Sequence, residues 1–263
     1  MKLDRVILSS DDNLKFIEFW PLVAEAWRKL FEVDVWLAVV SWCYGKAALR
    51  KLKEHGYVEV YAPIEGIPIA NQAKIARYHL ASIWNDASVV MTNDIDLLPL
   101  QSAYVHDLLH QRPPGHLLTV GAELYTGPEK GKFTAGYLTA ESSVWSKLVN
   151  PLHLAWPAFI KSFVGMSEID YKEDISRTVH HEEPDTFSDE SLLRALLKMN
   201  PVPVIYARRG FEPYTARALC RSDWKLDPGK LKNNEYVEAH LPRPWHDHVD
   251  KIKPLAEYLK TAQ

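Results

Sequence analysis

The chain has 263 residues, 47% of them hydrophobic and 25% charged, with a formal net charge of -3. That balance fits a folded protein with a substantial core and argues against disorder. The slightly negative charge argues against nucleic acid held by bulk electrostatics, while leaving room for a local basic pocket. Two cysteines far apart, Cys43 and Cys220, make neither a disulfide framework nor a zinc spacing, which points to a reducing, cytoplasmic setting. MKLDRVILSSDD has too short an apolar run for a signal peptide. VDVWLAVVSWCYG falls short of a transmembrane segment and reads as a buried strand.

In chain order, residues 6–8 predict a short strand that ends in the polar cluster Ser9-Ser10-Asp11-Asp12-Asn13. Apolar residues at helical spacing predict a helix over 14–30, with Pro21 as a local irregularity. Residues 33–42, rich in β-branched and aromatic side chains, predict a second strand. A basic helix over 46–55 closed by Gly56, a strand over 57–61, a loop over 63–68 and a helix over 70–84 follow. Residues 88–91 then form a strand that runs straight into Asp94 and Asp96. Strand alternating with helix implies an α/β fold, a Rossmann-type, mostly parallel central sheet flanked by helices.

After Pro99 the rhythm changes. The pattern predicts a helix over 101–110, a strand over 116–125, a loop over 127–131, a strand over 133–138 and a helix over 142–148. Residues 150–187 are irregular, and a helix over 192–199, a strand over 202–206 and a terminal helix over 254–261 complete a mixed C-terminal part. No linker divides the chain, so a single domain is expected, with a nucleotide-binding half over 1–100 and an acceptor-binding half over 101–263.

The stretch SVVMTNDIDLLPL carries the chemical question. Two carboxylates one residue apart at the end of a buried strand repel each other unless something cationic neutralises them. In an extended segment alternate side chains share a face, so both could address one cation, and oxygen ligands suit Mg²⁺ or Mn²⁺ shared with phosphate. The strand end is also where open α/β sheets bind ligands. The helix before it carries Asn71, Lys74, Arg77 and Tyr78 on one side, and the cationic Lys74 and Arg77 suit a phosphate-bearing ligand. An aspartate pair serving only as turn or cap, and a merely solvated basic helix face, are the plainer readings of the same residues.

The order N-x-x-K-x-x-R-Y, apolar strand, D-I-D resembles the nucleotide-sugar glycosyltransferases of GT-A fold, closest to the glycogenin and galactosyltransferase-like family. The resemblance runs in order from the first strand to residue 245. It implies that Arg77 and Lys74 face a nucleoside-diphosphate sugar, and that Asp94 and Asp96 bind Mn²⁺ or Mg²⁺ on its diphosphate. Ser9, Ser10 and Asp11 would help hold the nucleoside, beside Asn71. KFTAGYLTAESSVWSKL resembles the small-residue segment that faces the sugar, here Ala135 and Gly136 before Tyr137. FSDESLLRALL resembles the acidic motif that touches sugar hydroxyls, which implies that Asp189 or Glu190 orients or deprotonates a hydroxyl acceptor such as a glycan; an N-cap with first-turn acids is the plainer reading. AHLPRPW resembles a compressed form of the late histidine, lysine and Pro-Trp motif, with His240 as third metal ligand and Arg243 on the diphosphate. Its spacing is shorter and arginine stands where the family has lysine, so His246 and His248 remain candidates for the ligand.

The resemblance implies a metal-dependent glycosyltransferase, with retention favoured, although a free Asp189 carboxylate would equally serve an inverting displacement. Two rivals stand beside it. A phosphatase or nucleotidyltransferase is disfavoured because the D-x-D comes late, and because SSDDN is not a glycine-rich phosphate loop. A catalytically silent sugar-binding module could use the nine tryptophans and twelve tyrosines as stacking surfaces, although such residues more often pack cores.

Overall fold

The computed structural model describes residues 2–84, 86–124, 134, 136–162, 189–209, 213–214 and 218–261. Its elements in chain order begin with β1 (Arg5–Asp11), α1 (Leu14–Ile17), α2 (Trp20–Phe31), β2 (Asp34–Val40), α3 (Lys46–Lys53) and β3 (Tyr57–Tyr61). Then come α4 (Ile69–Ser82), β4 (Val89–Thr92), β5 (Leu97–Pro99), α5 (Ser102–His110), β6 (Leu117–Val120), β7 (Leu138–Glu141) and α6 (Ser142–Val149). The last are α7 (Asp189–Met199), β8 (Val204–Ala207), β9 (Ala218–Leu219), α8 (Pro228–Lys232), β10 (Glu238–His240) and α9 (Val249–Thr261).

Seven strands form the main sheet in the order β3-β2-β1-β4-β7-β6-β8. The pairs β1/β2, β2/β3, β1/β4 and β6/β8 are parallel, whereas β7 runs antiparallel to both β4 and β6. The sheet is therefore mostly parallel and covered on both faces, as the alternation of strand and helix predicts. Strand periodicity sorts the core. Val6 and Leu8 join one cluster with Trp20 and Trp27 of α2 and Tyr104 and Leu108 of α5. Ile7 faces the other way and joins Ile75 and Tyr78 of α4, Trp145 of α6 and Leu193 of α7. Among the described residues, no helix is long and apolar enough to cross a membrane.

Several expected boundaries move for identifiable reasons. The helix expected over 14–30 is two: Glu18 caps α1, and α2 starts at Trp20 with Pro21 in its first turn, where a missing N–H leaves no bond unmade. Gly56 does not cap α3; Glu54 does. Gly56 is required instead by close approach, because a Cβ there would lie 2.7 Å from the Val35 carbonyl oxygen and 3.0 Å from the Trp20 ring. The strand expected over 133–138 starts only at Leu138; residues 133 and 135 and the whole loop over 127–131 fall outside the described residues. So does most of the irregular stretch over 150–187. The terminal helix already begins at Val249 and carries Pro254 inside it. A second sheet, β5-β10-β9, was not foreseen, and it proves to be the element that gathers the site.

Two stability predictions follow from this packing. Gly56→Ala forces either the β2 backbone or the Trp20 ring to shift, an overpacking cost of about 1–3 kcal/mol, read as a lower urea midpoint at unchanged slope. His79 on α4 is buried with Nδ1 3.2 Å from the Tyr61 hydroxyl and Nε2 3.2 Å from the Leu154 carbonyl oxygen. Burial holds its pKa below 6.5, partly offset by that carbonyl. Below pH 6.5 the unfolded chain therefore binds a proton that the folded His79 refuses, and stability falls as pH drops. Urea unfolding at pH 7.5 and 5.5 is expected to show a smaller acid loss for His79→Phe than for the wild type.

Candidate functional site

The site starts where β4 ends. Asn93 continues the ladder through its N–H to the Ile7 carbonyl, and then the chain turns, with Leu97 N–H donating to the Asp94 carbonyl at 3.1 Å. Asp94 and Asp96 therefore do not share one face of an extended strand, and the expectation of a common direction is corrected by this turn. Arg77, buried on α4, donates from Nη1 to the Asn93 carbonyl at 2.9 Å and to Asp94 Oδ1 at 2.7 Å. Its one guanidinium ties the helix to the turn and neutralises the first carboxylate, whose side chain is partly exposed.

Asn93 extends the tie towards β7. Its side-chain amide donates to the Leu97 carbonyl at 3.3 Å, and its Oδ1 accepts from Tyr137 N–H at 3.4 Å. Gly136 lies just before that N–H, and a Cβ there would come within 2.9 Å of Leu97 and 3.3 Å of Asn93 Oδ1. The small residue expected to face a sugar is thus also favoured by the Leu97 and Asn93 side chains packed against it at the Asp94–Asp96 turn.

Asp96 is buried and points elsewhere. Its Oδ2 accepts from Arg221 Nη1 at 2.8 Å, lies 3.0 Å from Arg243 Nε and 3.4 Å from His240 Nε2. The small sheet explains the convergence. β10 pairs antiparallel with β5, bringing His240 opposite Leu97, and Leu241 N–H donates to the Asp96 carbonyl at 2.8 Å. β9 runs parallel to β10 with Leu219 beside Ala239, so the chain leaves β9 with Arg221 at the level of the carboxylate. Burial alone would raise the Asp96 pKa, but the His240 and Arg221 contacts outweigh it and hold the carboxyl below its ordinary value. Asp96 is an anion.

The other expected residues divide by position. Ser9, Ser10 and Asp11 close β1; Ser10 is buried on the Val6 and Leu8 side, and Ser9 and Asp11 alternate to the other. Asp11 Oδ1 accepts from Asn13 N–H at 3.2 Å, and Asn13 in turn caps α1. Asn71 and Lys74 sit on α4 ahead of Arg77, Asn71 buried and Lys74 half-buried. Of the three candidate histidines, His240 is the one beside Asp96, whereas His246 Nδ1 is 3.1 Å from Glu18 Oε2 and His248 follows the Trp245–Asp247 turn. Ala135 lies outside the described residues. Asp189 and Glu190 already lie in the first turn of α7, where the helix was expected from residue 192, and their side chains lie outside the described residues.

A carboxylate oxygen and an imidazole nitrogen 3.4 Å apart have the chemistry and roughly the separation of two ligands on one ion. Asp94, engaged by Arg77, is not part of that pair, and among the described residues no three His, Cys, Asp or Glu side chains form a group able to hold a metal. Asp96 and His240 supply two donors of suitable type, and the two arginines on Asp96 Oδ2 stand where an ion on that oxygen would have to sit. Arg221 was missed by sequence reasoning. Nothing in ALCRSDW marks it; only the pairing of β9 with β10 brings it to Asp96.

The sheet order, mostly parallel with the reversed β7, and the helices on both faces make a GT-A-like α/β fold. The structure is similar to that of an active-site mutant of the galactosyltransferase LgtC, with a TM-score of 0.52 and 16% identity over 98% of this chain and 94% of that one. It is similar to the glycosyltransferase GlyE of Streptococcus pneumoniae TIGR4, with a TM-score of 0.52 and 14% identity over 99% of this chain. The matched part is 63% of the GlyE chain. The chain matches no protein-family model and no curated protein.

Arg77→Met removes both bonds that fix the turn. Because Asp94 is partly solvated, the expected loss is about 1–3 kcal/mol rather than that of a fully buried pair, measurable by urea denaturation.

Proposed function

We propose that the protein is a glycosyltransferase that moves a sugar from a nucleoside-diphosphate sugar to a hydroxyl acceptor such as a glycan. The observation that carries this reading is the Asp94–Asp96 turn at the C-terminal end of β4, met there by Arg77, His240 and Arg243. Strand ends in an open α/β sheet are where ligands bind, and cations from separate segments converge on this one. Carboxylates and cations in such numbers suit a ligand that carries phosphate and hydroxyl groups together.

In this reading the first hundred residues hold the nucleotide and the remainder the acceptor. Ser9, Ser10 and Asp11 at the end of β1 bind the nucleoside, and Asn71 and Lys74 face the donor along α4. Arg77 keeps the turn in register, so that Asp94 and Asp96 present fixed negative charge. Arg243 draws the diphosphate in. Mn²⁺ or Mg²⁺, held by Asp96 and His240 with Asp94 nearby, would supply further positive charge against the departing diphosphate. Ala135 and Gly136 let the donor sugar approach the backbone closely. Asp189 or Glu190 at the start of α7 orients the acceptor hydroxyl, and retention of the anomeric configuration is favoured.

A thermal-shift panel of UDP, GDP, CDP and dTDP, each with and without Mn²⁺, tests the reading. A ligand of the native state raises the unfolding temperature in proportion to the logarithm of its concentration. One diphosphate is expected to stabilise the protein only with metal present, and Asp96→Asn is expected to abolish that shift. If no diphosphate shifts the transition at saturating concentration, the donor reading fails.

A further inference from the structure

Asp96 is neutralised more than once. A buried carboxylate needs one good cationic partner to remain ionised, yet its Oδ2 meets two guanidinium groups, Arg221 at 2.8 Å and Arg243 at 3.0 Å, with His240 beside them at 3.4 Å. Asp94 has Arg77 at 2.7 Å. At Asp96, among the described residues, two arginines thus meet one carboxylate, which leaves one positive charge over even with His240 neutral. Two guanidinium groups on the same oxygen also repel each other, so the arrangement gains if one of them finds a second anion.

The two arginines are not equivalent. Arg243 is braced, its guanidinium 5.0 Å over the Phe16 ring and its side chain 25% exposed. Arg221 belongs to the single turn Arg221–Asp223 that follows the two-residue strand β9. Its side chain is 36% exposed although the oxygen it holds belongs to a side chain only 6% exposed. Arg221 therefore reaches from solvent into the buried anion, and it is the less braced of the two arginines on Asp96.

We propose that Arg221 is a diphosphate-binding residue of the donor site, held against Asp96 and exchanging that carboxylate for phosphate oxygens when a nucleoside diphosphate binds. The inference rests on the donor reading above and adds to it a residue from a segment to which that reading gives no role. Carboxylate and phosphate offer the guanidinium fork the same pair of acceptor oxygens, so the exchange replaces one charge-assisted contact by another. It moves the surplus positive charge from a crowded oxygen onto the ligand.

The test compares binding of the diphosphate that stabilises the wild type with binding of its parent nucleoside, by calorimetric titration with Mn²⁺ present. Arg221→Met is expected to weaken the diphosphate about tenfold to a hundredfold and to leave nucleoside affinity unchanged. Arg221→Lys, which keeps the charge without the fork, is expected to fall between, and it carries the test if the methionine variant does not fold. Lys225→Met removes a neighbouring exposed cation paired with Asp223 and is expected to change neither affinity. Unchanged diphosphate affinity in a folded Arg221 variant overturns the proposal, as does an equal loss for nucleoside and diphosphate, which would mark Arg221 as structural. If the wild type binds no diphosphate at all, the donor reading itself falls, and the Arg221 proposal with it.

Discussion

The structure depends on keeping one buried carboxylate charged. Moving an isolated carboxylate out of water costs several kcal/mol, and a protein that does so must bring cations to it or lose the charge. Asp96 receives Arg221, His240 and Arg243, from beyond β9, from the end of β10 and from the loop after it. None of these is near Asp96 in sequence. The small sheet β5-β10-β9 exists where it does because strand pairing is the most direct way to fix three distant segments at hydrogen-bonding distance. Removing that sheet would leave Asp96 an unpaired buried anion.

Arg77 performs the matching task from the other side. It reaches from the middle of α4 to the Asn93 carbonyl and Asp94 Oδ1, and Asn93 passes the constraint to the Tyr137 N–H beside Gly136. One helix, the end of one strand and the approach to the antiparallel strand are thereby held in fixed relation around the acidic turn. The two carboxylates, separated in sequence only by Ile95, face different cations because the Asp94-to-Leu97 turn separates them.

What could be read from the sequence was local or periodic. The parallel half of the sheet, α4 and the acidic pair at a strand end follow from apolar spacing and from residues within a window of about fifteen. Arg77 was expected to face a phosphate-bearing ligand; its partners in the structure, the Asn93 carbonyl and Asp94, lie just past the next strand. The failures share one cause. Gly56 looks like a helix stop in sequence, yet its reason is the Val35 carbonyl across the sheet. The direction of Asp94 and Asp96 depends on a turn that two-residue alternation does not encode. β9 is two residues long and carries no periodicity, so Arg221 could be placed only once β10 had a position. His240 was one of three candidates, and only its register against Leu97 separates it from His246, which turns to Glu18 instead.

The strand β10 also shows why the site is stiff on its inner side. Glu238 and His240 are two residues apart and share a face, with buried Ala239 opposite. Glu238, fully buried, accepts from Arg209 Nε at 2.6 Å, so a second buried carboxylate is again neutralised by an arginine from a distant segment. Burial, and then the nearby Glu238 charge, push the Tyr137 phenol well up, so this tyrosine stays neutral at any physiological pH. One short strand thus anchors itself through Glu238 and presents His240 to Asp96. Because the anchor is an ion pair in low dielectric rather than a loose apolar contact, its geometry is directional, and the position of His240 inherits that direction. A candidate site whose cations are long, flexible arginines needs such a fixed frame, since charge that is to act on a ligand must already point at it.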